Sequence, residues 1–90
     1  MDNESVYYPV GDAEALKEFD LKEFGDIENP DFAITPKMKK EIADLASFRL
    51  ENANQFIERC EYDVAVEVAK SAVWLLEILN RHFPYEEQNK

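Results

Sequence analysis

The chain carries one histidine, His82, and one cysteine, Cys60. These are the side chains best suited to nucleophilic or metal chemistry, as a Cys–His pair or as zinc ligands. Their separation argues against both. A helix between them would set them roughly 30 Å apart by its rise per residue. They cannot then share a metal or a proton within one chain. Cys60 reads as a small packed residue near a turn. His82 reads as a cation at a helix end, where the dipole favours positive charge. The only glycines, Gly11 and Gly25, lack the spacing of a P-loop or a dinucleotide fingerprint. Asp26-Ile-Glu-Asn-Pro-Asp31 has oxygens at alternating positions, but not the central Gly and terminal Glu of a calcium loop. The other carboxylates, Glu86-Glu87 among them, read as solvated charge. No catalytic, cofactor or metal site is expected, and the chemistry left is that of contact.

The charge supports that reading. The net charge is −10, and residues 1–34 hold ten acids against two lysines. Direct binding to nucleic acid is disfavoured, because phosphate contacts need a basic patch. A basic protein surface is favoured instead, with electrostatic steering of the encounter. Tyr7, Tyr8, Phe19, Phe24 and Phe32 stand among those acids.

Two long helices must position whatever makes contact. Thr35-Pro36 is a helix start, with Thr as N-cap and Pro in the first turn. Met38, Ile42, Leu45, Ala46, Leu50, Ala53, Phe56, Ile57 and Cys60 then share one face, which predicts a helix over 36–59. Arg49 interrupts its apolar arc and Phe48 lies off it. The preferred reading of Arg49 is a snorkelling side chain. The alternative is an ion pair across an interface with an acid from the N-terminal third. Lys37, Lys39 and Lys40 sit where the dipole disfavours cations, as if facing an acidic segment.

A second helix is predicted over 62–83, with Asp63 as N-cap and Pro84 as its stop. Its apolar arc is about twice the ~100° stripe of an ordinary surface helix. Val64, Ala65, Val68, Ala69, Ala72, Leu75, Leu76, Leu79 and Phe83 form it, Ile78 widens one edge, and Val66 and Val73 widen the other. One neighbouring helix cannot cover such an arc. Trp74 falls on the narrow polar strip among Glu67, Lys70, Glu77 and Arg81. The short connection makes the two helices antiparallel neighbours.

The N-terminal third is a looser pattern. Val6 to Val10 is apolar and β-prone, an arm that can lie across the helices. Asp12 to Phe24 is a possible short helix, with Asp12 as N-cap, Leu16, Phe19 and Phe24 inward, and Gly25 as its stop. Asn29-Pro30 marks a loop, after which Phe32 and Ile34 tuck into the core. Residues 85–90 read as a polar tail. No basic n-region or apolar h-region follows Met1, so the expectation is a cytoplasmic protein without a signal peptide.

The stretch from Leu50 to Leu79 resembles a single tetratricopeptide-type hairpin, with Ala53, Tyr62, Ala65 and Ala72 near that pattern's small and aromatic positions. Cys60 stands where Gly is usual, and no second copy follows. The resemblance implies a helical hairpin and no particular function.

The expected fold is therefore all-α: an acidic arm over 1–34, an antiparallel helical hairpin over 35–84 and a polar tail. So small a core favours dimerisation into a four-helix arrangement or coverage by a partner. The expected function is non-enzymatic binding and regulation or inhibition of another protein, of the antitoxin, immunity or phage-modulator type. The alternative is a nucleic-acid mimic whose carboxylates block a DNA- or RNA-binding protein. The expected partners are a protein with a basic surface and a second copy of the chain, with no membrane. The contact candidates are Trp74, Phe48 and Arg49, then Tyr7, Tyr8, Glu14, Glu18, Asp20, Glu23, Asp26 and Glu28.

Overall fold

The computed structural model describes residues 11–84, so the readings of the Val6–Val10 arm and the 85–90 tail lie outside the described residues. These residues form three α-helices and no strand: α1 (Ala13–Phe24), α2 (Pro36–Glu58) and α3 (Tyr62–His82).

Local chemistry sets most of the boundaries. Asp12 caps α1, its carboxylate accepting from the Glu14 and Ala15 amides at 3.1 and 3.2 Å. Gly25 ends α1 with φ +97, a region L side chains rarely adopt, and its amide donates to the Leu21 carbonyl. A Cβ at Gly25 would stand 2.9 Å from the Phe32 ring, so glycine also lets the loop fold back onto α1. Thr35 Oγ1 accepts from the Met38 amide at 3.1 Å, and Pro36 occupies the first position of α2.

Three local details differ from expectation. The cap residue of α3 is Glu61, without a side-chain cap bond, and Asp63 lies inside the first turn. The turn itself is a Schellman motif: the Glu61 amide donates to the Phe56 carbonyl at 2.8 Å and the Cys60 amide to the Ile57 carbonyl at 2.9 Å. Cys60 takes the left-handed position, φ +61, where glycine is ordinarily found. It is exposed rather than packed. Two of the lysines at the start of α2 do not face the acidic third: Lys40 bonds Asp44 one turn on, and Lys39 lies over the Phe83 ring.

Lys39 of the first turn of α2 meets Phe83 beyond the end of α3, while Ile57 of the last turn of α2 lines a groove with Tyr62 of the first turn of α3. α2 and α3 therefore touch at both of these places. Ile42 and Ala46 of α2 close on Leu75 and Ile78 of α3, and Ile27 from the loop completes the buried cluster. Phe24, Phe32, Ile34 and Met38 pack around it. α1 lies across one side of this layer.

Replacing Cys60 by glycine removes the left-handed penalty of roughly 1–2 kcal/mol and adds unfolded-chain entropy of about half that. Cys60→Gly is expected to raise stability by about 0.5–1 kcal/mol in urea unfolding. A loss of stability would show that the cysteine side chain contributes contacts of its own.

Candidate protein-binding surfaces

α1 is pinned at three points. At its start, the Ala13 amide donates to Glu67 Oε1 of α3 at 3.0 Å. One turn later, Lys17 reaches Glu28 at 3.4 Å and lies over the Trp74 ring at 5.7 Å. On the third turn, Asp20 meets Arg49 of α2. Arg49 Nη1 and Nη2 donate to the two Asp20 oxygens at 2.6 and 2.8 Å, a two-pronged pair. Asp20 is 0% and Arg49 1% exposed. Arg49 therefore does not snorkel. Its head ends inside the protein on an acid of the N-terminal third, and neither residue of the pair presents a surface for a partner.

Seating Asp20 inward rotates α1. Leu16 is buried and Phe24 half-buried, but Phe19 points outward, against expectation. Leu21 packs on the core instead. Phe19 lines a shallow groove with Phe24, Leu45, Glu23 and Glu41, between α1 and α2. Phe48 lies three residues beyond Leu45 on the same flank of α2 and is 52% exposed. Of the predicted contacts, Glu23 lines this groove, with Phe19, Phe24, Leu45 and Glu41 beside it, and Phe48 is exposed next along α2 by helical spacing.

Trp74 and Glu28 fall at another. The Trp74 indole N–H donates to Glu28 Oε2 at 3.1 Å. Arg81 donates to the Glu28 carbonyl at 3.5 Å, and His82 Nε2 lies 3.1 Å from the Ile27 carbonyl, which accepts when that nitrogen is protonated. These bonds fasten the 25–35 loop to the second half of α3, so Trp74 serves as a half-buried latch. The indole bond first, with Lys17 and Arg81 adding to it, holds the Glu28 carboxyl below its ordinary range and outweighs the opposing effect of burial.

Glu14, Glu18 and Asp26 are exposed. By helical spacing, Glu14 and Glu18 lie on the opposite flank of α1 from Phe19 and Glu23. Tyr7 and Tyr8 lie outside the described residues. Among the described residues, no group of three or more His, Cys, Asp or Glu is placed to hold a metal ion. No helix among them is long and apolar enough to cross a membrane. No protein-family model, curated protein or solved structure matches the chain.

Two outcomes follow for these contacts. Arg49→Met leaves Asp20 buried without its partner and is expected to cost about 3–5 kcal/mol, whereas Asp20→Leu with Arg49→Met recovers most of that. Denaturant unfolding of the single and double variants checks this; a double variant no better than the single would mean the pair is worth more than its burial costs. The second concerns pH. A lowered folded-state pKa contributes stability above the ordinary value of 4.5, which is lost as pH falls through the lowered value. Trp74 emission is expected to hold steady from neutral pH to that ordinary value and shift only below it. Glu28→Gln should remove that part of the shift. An unchanged acid profile in Glu28→Gln would place the titrating group elsewhere.

Proposed function

We propose that this chain is a non-enzymatic, cytoplasmic protein that binds a partner bearing a basic, amphipathic segment and regulates it by occupying that segment. The antiparallel α2–α3 hairpin is the platform, and the protein acts as a homodimer. The observation that carries the reading is the groove between α1 and α2. It offers Phe19, Phe24 and Leu45 for apolar contact, with Glu23 and Glu41 among its lining residues. Phe48, exposed and three residues after Leu45, comes next along α2 by helical spacing. Aromatic rings bordered by carboxylates suit Arg or Lys side chains, whose stems pack on the rings while their cations meet the acids. Aromatic side chains are also the commonest anchors of binding energy at interfaces.

The nucleic-acid mimic needs the acids of the N-terminal third on one continuous surface. Asp20 is inside the protein, Glu28 is tied to Trp74 and Lys17, and Glu14 and Glu18 face away from Glu23. These placements favour the groove.

A synthetic helical peptide with Leu on one face and Arg and Lys on the other is the test ligand. In NMR titration, the expected shifts centre on Phe19, Phe24, Leu45 and Phe48. Phe48→Ala and Glu41→Lys are each expected to weaken binding about tenfold, on the scale of an interface anchor. Binding that ignores both substitutions, or that falls with salt as steeply as phosphate recognition does, would contradict the groove reading.

A further inference from the structure

The side of α3 turned away from α1 carries a second surface. Tyr62, Val66, Ala69, Val73, Leu76, Asn80 and Phe83 recur at alternating steps of four and three residues, the spacing of a coiled-coil seam. They do not belong to the core. Val66, Val73, Leu76 and Phe83 are between 36% and 51% exposed, and Ile57 of α2 lines a groove with Tyr62, Val66 and Ala69 of the stripe. α1 packs on the other side of α3, near Glu67, Ser71 and Trp74. Among the described residues, the packing therefore leaves the stripe open, and it is strictly periodic.

The charges beside the stripe name its occupant. One seven-residue repeat apart, Lys70 and Glu77 fill the same flanking position, both exposed, and Lys70 also lies 3.4 Å from Glu67 on its own helix. In an antiparallel pair of such helices, residues at that position meet each other across the seam; in a parallel pair they do not. A register that sets Val73 against the partner's Leu76 places Lys70 against the partner's Glu77, and Glu77 against the partner's Lys70. The same register sets Val66 against Phe83 and small Ala69 against Asn80. Shortening it by one repeat would oppose Lys70 to Lys70 and Asp63 to Glu77. Lengthening it by one would oppose Glu77 to Glu77. One antiparallel register alone pairs opposite charges along that flank, Lys70 with Glu77 twice over.

We infer that the open face of α3 takes a second copy of this chain, antiparallel and two-fold symmetric, with Val73 against Leu76 and Lys70 against Glu77 across the axis. The inference rests on the homodimer of the proposed function and adds its face, direction and register. Because the seam and α1 lie on opposite sides of α3, the dimer presents two outward grooves and is bivalent for its partner.

Sedimentation equilibrium of the full chain over a wide concentration range is the test. Wild type is expected to be a monomer–dimer system. Val73→Asp, at a position exposed in the folded monomer, is expected to be monomeric with unchanged helical circular dichroism. Glu77→Lys turns two attractive pairs into two repulsive ones and is expected to weaken the dimer roughly tenfold. Lys70→Glu combined with Glu77→Lys restores the wild-type constant. A wild type monomeric throughout, or a dimer indifferent to Val73→Asp, would overturn the interface. A charge-swapped double variant as weak as Glu77→Lys alone would overturn the antiparallel register. Peptide binding at the α1–α2 groove is read separately by NMR, and loss of dimerisation with the groove intact separates the failure of one surface from the failure of the other.

Discussion

The pair between Asp20 and Arg49 is the constraint on which the arrangement of this small protein turns. α2 and α3 can close on each other through Ile42, Ala46, Leu75 and Ile78. α1 has far less to hold it. It is twelve residues long, short for a helix that must be stable by itself, and Leu16 is its only buried apolar residue. A two-pronged ion pair inside the protein supplies the rest. Such a pair adds little net stability, because desolvation of both groups offsets their attraction. Its consequence is geometric: the guanidinium fork accepts one orientation of the carboxylate, and that orientation fixes the rotation of α1. With Asp20 inward, Phe19 and Glu23 must border the groove facing α2. The proposed partner groove thus follows from where one charge is buried.

α3 resolves its over-wide apolar arc in two ways. On one side, α1 and the 25–35 loop reach Ser71, Trp74 and Ile78, covering the edge that Ile78 widens. On the other, Val66, Val73 and Leu76 stay exposed. A monomer with no further role gains nothing from a strict heptad of apolar side chains in water. A second copy with opposite charges in register gives that periodicity a physical purpose. The two surfaces are chemically unlike: one is aromatic and edged by acids, the other is aliphatic at its centre, with Tyr62 and Phe83 at its ends. Each suits a different occupant.

Much of this was legible in the residues. Thr35-Pro36 and Asp12 announced helix starts, and Gly25 announced a stop, because caps and left-handed stops depend on local chemistry. The three helices formed where apolar periodicity placed them. What periodicity could not show was a charged residue at home in the core. It ranks Phe19 above Asp20 as an inward side chain, and so turns α1 the wrong way. The signal available was Arg49 within the apolar arc of α2, which demanded an acid from somewhere in the N-terminal third. The pattern did not say which one. Trp74 was legible as a tryptophan out of place on a polar strip, but its bond to Glu28 joins residues distant in the chain. The Schellman turn was hidden for a simpler reason: Cys60 fills a position that usually announces itself with glycine.

The central claim is that α1 is a fixed part of the fold, held by its buried pair, and that the groove exists because of it. Amide hydrogen exchange along α1 tests this most directly. If the claim holds, the amides of Lys17 to Phe24 open only with global unfolding, matching the slowest amides of α2 and α3. If those amides exchange through a far cheaper local opening while α2 and α3 stay protected, α1 is a loosely attached arm. The groove lined by Phe19, Phe24 and Leu45 would then not be a built surface.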